Sequence, residues 1–377
     1  MGKICFVAAS PLSLRIFMRD HILRLSEKYE VTAIANFSNE DLFESWLPGV
    51  RLVSIPLQRK ISLISDFIAL MELWFFFRRE RFDVVHSLTP KAGLLTMIAA
   101  KWGGVPKRIH TFTGQVWSNK KGINKSFLKI LDRCIVTCST SLLADSVSQA
   151  HFLVNQNVVS ADKIDVLGNG SICGVDTERF KPNLGLRKEI RASLFISDKS
   201  IVYLYLGRVN KDKGVQDLAI AFSDAAKSNP NLHLLVVGPD EGGLDAMLET
   251  ILNEHSSQYH RIGFTNAPEA YLVCADVLCL PSYREGFGSV IIEAAASGVP
   301  AIASNIYGLV DAIENGKTGI LHEPKNIQEI KLALLRLAEN DVLRKDMAKQ
   351  AIFRAHQLFD KKIVVNEVAE YYQKLLG

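Results

Sequence analysis

Short β-branched runs alternate with longer helical patterns along this chain, stop once, and then start again. "KICFVAA" (3–9), "VTAIA" (31–35), "RLVSI" (51–55), "FDVVHSL" (82–88) and "KRIHTF" (107–112) read as strands, with helical patterns over about 12–27, 61–80 and 91–102. Nearly continuous apolar strands separated by helices call for a parallel sheet covered on both faces. The rhythm breaks around 168–200, on "GNGSICGVD" and a polar run with Pro182, which reads as an inter-domain linker. It resumes with strands at 201–207, 232–238, 259–264, 276–280, 300–304 and 319–322. Helical patterns lie between and after them, at about 214–228, 243–255, 266–273, 288–297, 308–314 and 326–340. A last helical pattern, about 360–376, lies beyond the second sheet and can pack back across. The expected fold class is α/β: two Rossmann-like, doubly wound domains with a cleft between them. The expected boundaries are residues 1–175 plus 360–377 for the first domain and 185–359 for the second.

Bulk properties narrow the function. The chain has 377 residues, enough for two domains, and 48% are hydrophobic, ample for two cores. A net charge of +4 is too weak to argue for nucleic acid, but suits an anionic ligand or an anionic membrane surface. Cys5, Cys134, Cys138, Cys173, Cys274 and Cys279 form no C-x-x-C pair and read as free thiols in a reducing compartment. The opening "MGKICFVAASPLSLR" has too short an apolar run for a signal peptide. The most apolar stretch, 61–77, is interrupted by Asp66 and Glu72 and does not read as a membrane span. A cytoplasmic location is expected.

Three stretches carry chemistry. In "GRVNKDKG" (207–214), Arg208 and Lys213 flank a turn that opens a helix, and two cations beside a helix N-terminus suit a phosphate. The bland alternative is a solvated turn with ordinary surface charges. In "YREGFGSVIIE", Gly286 and Gly288 let backbone approach a ligand at a helix start, with Glu285 just before the helix and Glu293 in its second turn. Their separation of roughly 10–12 Å matches the span from a sugar across a diphosphate to a ribose. Each carboxylate can then accept hydroxyl hydrogen bonds while the helix start holds phosphates. A plain helix with two surface glutamates explains neither glycine. In "VPKRIHTFTGQVW", His110 is expected at a strand end facing the cleft, against the alternative of a structural histidine. There is no G-x-S-x-G, no complete Walker loop and no D-x-D pair, which argues against a serine hydrolase, a P-loop NTPase and a metal-dependent transferase.

These motifs, together with "GNGSICGVDTERF", "LHLLVVGPDEG" and "GLVDAIENGKTGIL" in the same order, resemble the retaining glycosyltransferases of family 4, which have the GT-B fold. "HTFTGQVW" looks like members that build bacterial O-antigen, capsule or other surface glycans on a lipid carrier. The resemblance implies an acceptor-side first domain and a nucleotide-sugar-binding second domain. It implies that Arg208 and Lys213 bind the donor diphosphate and that Glu285 contacts the transferred sugar. The Gly286–Phe287–Gly288 backbone would support sugar and phosphate, Glu293 would hold the ribose, and His110 would sit at the reacting sugar. The base would lie against the turn Arg261–Phe264. Many members carry a glycine pair after the first strand; this chain has "ASPLSLR", so Ser10 or Ser13 would serve instead. The implied donor is a UDP-sugar, an N-acetylhexosamine by subgroup, and the implied acceptor is a polyprenyl-diphosphate-linked saccharide. No cofactor and no metal are expected. The alternatives are a UDP-sugar 2-epimerase on the same fold and a non-catalytic nucleotide-sugar-binding scaffold. Aromatic and basic residues in 57–82 and 119–133 add the expectation of a peripheral enzyme on the inner face of the cell membrane.

Overall fold

The structure is a computed structural model and describes residues 2–38, 46–58 and 62–377. The first residue of the expected helix at 61–80, and Arg59 and Lys60 before it, lie outside the described residues. The chain divides into two compact units, residues 1–173 with 362–377, and residues 174–361.

The first unit is built on seven parallel strands: β1 (Lys3–Val7), β2 (Glu30–Ala35), β3 (Arg51–Ser54), β4 (Val84–Leu88), β5 (Lys107–Phe112), β6 (Ser141–Ala144) and β7 (Ile164–Asp165). Their order is β3-β2-β1-β4-β5-β6-β7. The helices are α1 (Pro11–Phe17), α2 (Arg19–Ser26), α3 (Leu63–Glu80), α4 (Pro90–Trp102), α5 (Gly122–Cys138) and α6 (Val147–Asn155). Side-chain alternation along β1 shows why both faces need cover. Ile4 and Phe6 enter one core, Cys5 and Val7 the other, and all are fully buried. The helices α3, α4 and α5 lie side by side.

The second unit repeats the plan with β8 (Ile201–Leu206), β9 (Leu232–Val237), β10 (Tyr259–Ile262), β11 (Val277–Leu280), β12 (Ala301–Ser304) and β13 (Gly319–His322), in the order β10-β9-β8-β11-β12-β13, all parallel. Its helices are α7 (Leu184–Ser193), α8 (Val215–Ala226), α9 (Asp245–Ile251), α10 (Pro268–Cys274), α11 (Ser289–Ala296), α12 (Leu309–Ala312), α13 (Ile327–Glu339) and α14 (Asp341–Leu358). The last helix, α15 (Lys361–Leu376), belongs almost wholly to the first unit. Tyr372 on α15 is buried there and shares a 2.7 Å hydrogen bond with His86 on β4.

The second unit begins at Gly174, not at 185, and the stretch expected as a linker is largely folded. The run "LGLRKEIRAS" forms α7 because its arginines are not surface charges. Arg187 and Arg191 each reach Asp276 at 2.6 Å, and Arg191 is 1% exposed. Asp276 also accepts the Val202 N–H at 2.7 Å, so one carboxylate ties α7 to the start of β8. A charged run folds here because one largely enclosed acid neutralises two of its arginines.

Candidate functional site

In an open parallel sheet, ligands bind beyond the C-terminal strand ends, at the point where strand order reverses. In the second unit that point lies between β8 and β11, because β9 and β10 extend the sheet one way and β12 and β13 the other. The two motifs singled out above leave the sheet there. "GRVNKDKG" follows β8 and "PSYREGFG" follows β11.

The two loops are locked together. Gly214, at φ +64°, caps a short helical turn over Lys211–Lys213 and starts α8. A Cβ there would lie 2.1 Å from the Pro281 carbonyl oxygen, so only glycine lets the loops approach this closely. The Tyr283 N–H donates to the Asp212 carbonyl at 2.8 Å, and the Tyr283 hydroxyl donates to Asp217 on α8 at 2.6 Å. Burial and Asp217 both hold the Tyr283 phenol protonated, well above its ordinary value.

This lock brings Lys213 and Glu285 together. Lys213 Nζ donates to Glu285 Oε1 at 2.5 Å, with both side chains about one-sixth exposed (17% and 15%). The Ser282 hydroxyl donates to the same oxygen at 2.9 Å. Among the described residues, no hydrogen bond reaches Oε2. One oxygen is fixed by the protein and the other can accept from a ligand hydroxyl. The helix α11 starts four residues later, and its cap, Gly288, has no side chain to occupy the first-turn N–H groups. Phe287 is buried, edge-on to Phe359 with ring centroids 5.2 Å apart, so only its backbone can serve a ligand.

Glu293, in the second turn of α11, is half-buried by exposed surface yet densely enclosed by protein. Burial raises its pKa to about 7; Arg179 pulls it down and Glu269 pushes it up by smaller amounts. Among the described residues, no hydrogen bond reaches its carboxyl. A half-enclosed carboxyl without a partner is costly in a purely structural role.

The other expected residues divide. Arg208 is half exposed and pairs with Glu241 at 2.8 Å; Tyr205 fixes its backbone by donating to the Arg208 carbonyl at 2.7 Å. Arg261 turns inward, donating to Asp245 at 2.8 Å and to the Val236 and Ile262 carbonyls, so its side chain braces β10. Phe264, just beyond β10, is 70% exposed. Ser10 caps α1, accepting from the Ser13 N–H at 3.3 Å, and the two hydroxyls lie 3.0 Å apart.

His110 is not at the strand end. It sits two residues inside β5, 1% exposed, hydrogen-bonded to Ser87 at 2.8 Å and edge-on to Phe112. Gly93 on α4 packs on the ring so closely that a Cβ would lie 2.3 Å from it. Burial lowers the pKa to about 3, so the imidazole is neutral and enclosed. The expectation that His110 faces a cleft is corrected: its ring is enclosed by Ser87, Phe112 and Gly93, and Thr113 and Gly114 occupy the exit of the strand. The rest of "TGQVW" anchors this exit loop. The Gln149 amide donates to Gln115 at 3.3 Å, and the Trp117 indole donates to buried Asp132 at 2.6 Å.

Sequence reasoning missed Ser282, Tyr283 and Asp217. Their signal was adjacency: Ser282 and Tyr283 directly precede the Arg-Glu-Gly-Phe-Gly run, and Asp217 lies in the first turn of α8. It also missed Thr89 at the exit of β4, which holds a positive φ of 67° beside β1, where strand order reverses in the first unit.

The family model described as glycosyl transferases group 1 matches residues 187–354, and that of the glycosyl transferase 4-like domain matches residues 23–170. The chain is 31% identical over 324 residues to the capsular polysaccharide biosynthesis glycosyltransferase CapM of Staphylococcus aureus, covering 85% of this chain and 84% of CapM. It is 30% identical over 350 residues to the UDP-Gal:alpha-D-GlcNAc-diphosphoundecaprenol alpha-1,3-galactosyltransferase of Escherichia coli, covering 90% and 89%. Among solved structures, Anabaena Alr3699/HepE in complex with UDP superposes with a TM-score of 0.81 at 18% identity, over 99% of this chain and 100% of that one.

Proposed function

This chain belongs to the glycosyl transferases group 1 family and is a glycosyltransferase of the GT-B fold; on that footing we propose that it moves a sugar from a UDP-sugar to a polyprenyl-diphosphate-linked saccharide in the synthesis of a bacterial surface glycan. One observation carries the donor reading. Lys213 and Glu285 meet at the strand-order reversal of the second sheet, directly before the start of α11. UDP is favoured because the Escherichia coli relative is named for UDP-Gal and the Anabaena structure holds UDP. The acceptor class follows the diphosphoundecaprenol in the same relative's name and the capsular role in the name of CapM. The sugar proposed from the subgroup is an N-acetylhexosamine.

In this reading the diphosphate lies between Lys213 and the first-turn N–H groups of α11, with Arg208 swinging from Glu241 to the outer phosphate. Glu285 Oε2 accepts from hydroxyls of the transferred sugar, and Glu293 accepts from the ribose. The C1–O bond to the β-phosphate breaks, and the charge left on the UDP oxygens is stabilised by Lys213 and the helix start. The acceptor hydroxyl bonds to C1 on the same face and its proton passes to the departing phosphate, so configuration is retained. Neither Glu285 oxygen is needed as a nucleophile. The positive charge comes from side chains and backbone, so transfer is proposed to need no metal.

The test is a thermal-shift screen against UDP-, GDP- and ADP-sugars, including N-acetylhexosamines and hexoses, followed by transfer assays with and without EDTA on lipid-linked acceptor. UDP-sugar stabilisation with EDTA-insensitive, anomer-retaining transfer is expected. Stabilisation by GDP- or ADP-sugars alone sinks the donor assignment, and loss of transfer in EDTA sinks metal independence.

A further inference from the structure

The helices α3 and α5 flank α4 on one face of the first unit's sheet. Each follows a strand and leads to the next parallel one, so each starts at the sheet's C-terminal edge. The N-terminal halves of both helices, which lie toward that edge, expose large apolar side chains. On α3 these are Leu63 (82% exposed), Ile64 and Phe67; on α5, Ile123 (87%), Phe127 and Ile130. The α5 residues recur at i, i+4 and i+7, which makes one stripe along the helix. The stripe is not the core face: α5 separately buries Ile135 and Cys138, and α3 buries Ala69, Leu73 and Phe77. Six large apolar groups gathered at one edge exceed the scatter normal on a soluble surface. Phe67 also walls an open groove of about 720 Å³ between α3 and β3.

The charge around α5 is one-sided. From Thr113 to Thr140 the chain carries Lys120, Lys121, Lys125, Lys129 and Arg133 against one acid, Asp132. Asp132 is buried under the Trp117 indole. The acid in the first turn of α3, Asp66, is paired with Lys91 at 2.5 Å. What faces solvent beside the α5 apolar groups is therefore cationic, while on α3 the exposed Glu72 lines the groove one turn beyond Phe67. No helix among the described residues is long and apolar enough to cross a membrane. Exposed apolar side chains rimmed by lysines fit the interface of an anionic bilayer.

We propose that this edge docks on an anionic lipid bilayer, with Leu63, Ile64, Phe67, Ile123, Phe127 and Ile130 entering the headgroup layer and Lys120, Lys121 and Lys125 meeting lipid phosphates. The purpose rests on the function proposed above. Docking turns the C-terminal strand ends of the first sheet toward the surface that holds a lipid-linked acceptor. The docking itself depends only on the surface.

Flotation with phosphatidylcholine vesicles, with and without phosphatidylglycerol, tests it at low salt. The wild-type chain should float with the anionic vesicles and remain largely behind with the neutral ones. The pairs Ile123→Asp with Phe127→Asp, and Leu63→Asp with Phe67→Asp, should abolish flotation while circular dichroism and the UDP-induced melting shift stay unchanged. Replacing Lys120, Lys121 and Lys125 by Ser should weaken binding on the order of a hundredfold. A wild-type chain that does not float overturns the proposal, and so do Asp variants that float like wild type. A wild-type dimer that the Asp variants convert to monomer overturns it in favour of a subunit interface. Transfer to a detergent-solubilised acceptor separates the two claims. If the Asp variants transfer normally in detergent but fail to float, both stand. If the wild type floats but never transfers, docking stands and the acceptor assignment falls.

Discussion

At the residue scale the proposed donor site brings together charged side chains whose surroundings differ. Lys213 is about one-sixth exposed and already committed to one carboxylate oxygen, so it is a preorganised cation and not a mobile surface lysine. Lys213→Met should weaken UDP binding by about 10- to 100-fold, as expected for a charge-assisted hydrogen bond of roughly 1.5–3 kcal/mol, and leave uridine binding unchanged; calorimetry with both ligands checks this. Glu293 gives a pH signature. Its pKa is raised to about 7, so between the ordinary glutamate value and pH 7 the folded chain binds this proton more tightly than the unfolded chain does. Stability should therefore fall as pH rises through that window and level off above it. UDP affinity should rise through the same window, because only the ionised carboxyl accepts from both ribose hydroxyls. Glu293→Gln should flatten both curves, and a wild-type UDP affinity independent of pH between 6 and 8 would count against the ribose role. His110 shows where residue-level reading failed. The strand over 107–112 was legible, but which side of it is covered was not: Ser87 on β4 and Gly93 on α4, distant in sequence, enclose the imidazole and keep it neutral.

At the element scale the loop 281–288, proposed to face the donor sugar, is held from outside itself. Tyr283 ties it to α8 through Asp217, and the Gly214–Pro281 contact ties it to the loop after β8. Tyr283→Phe removes one hydroxyl and leaves the Asp217 carboxylate short of a donor, a cost of about 1–3 kcal/mol. The expected result is a lower Tm and a lower kcat with UDP affinity changed only a few-fold; an unchanged kcat would show that the tether does not set the geometry of Glu285. Strands and helices of the second unit were legible because each apolar run is short, β-branched and punctuated by glycine or proline. The segment from α5 to β7 was not read at all. Its helix repeats apolar residues at helical spacing, as at Ile123, Phe127 and Ile130, so the signal was present in the sequence and was passed over for the basic residues between them. The helix α7 was read as linker because its arginines looked solvated, and only Asp276, some ninety residues away in sequence, explains their burial.

At the scale of the whole molecule, two parallel sheets of the same winding each carry their own core. The alternation of runs, with its single break, made that plan visible in sequence. The division falls at 173/174 and 361/362, against expected edges at 175 and 360; what composition did not show is that residues 174–184 belong to the second unit, because that depends on contacts and not on local polarity. Since the proposed donor residues all lie in residues 174–361, UDP should slow hydrogen exchange at 207–214 and 281–293 and leave β1, β4 and β5 unchanged. Protection confined to the first unit would relocate the donor site. The most direct test of the central claim is Glu285→Ala, with turnover and UDP-sugar affinity measured on the same preparation. The side chain is proposed to act mainly on the sugar as its bond breaks, so kcat should fall by about 10²-fold or more while the dissociation constant moves only a few-fold. Equal losses in both would contradict the account and leave Glu285 as a binding residue alone.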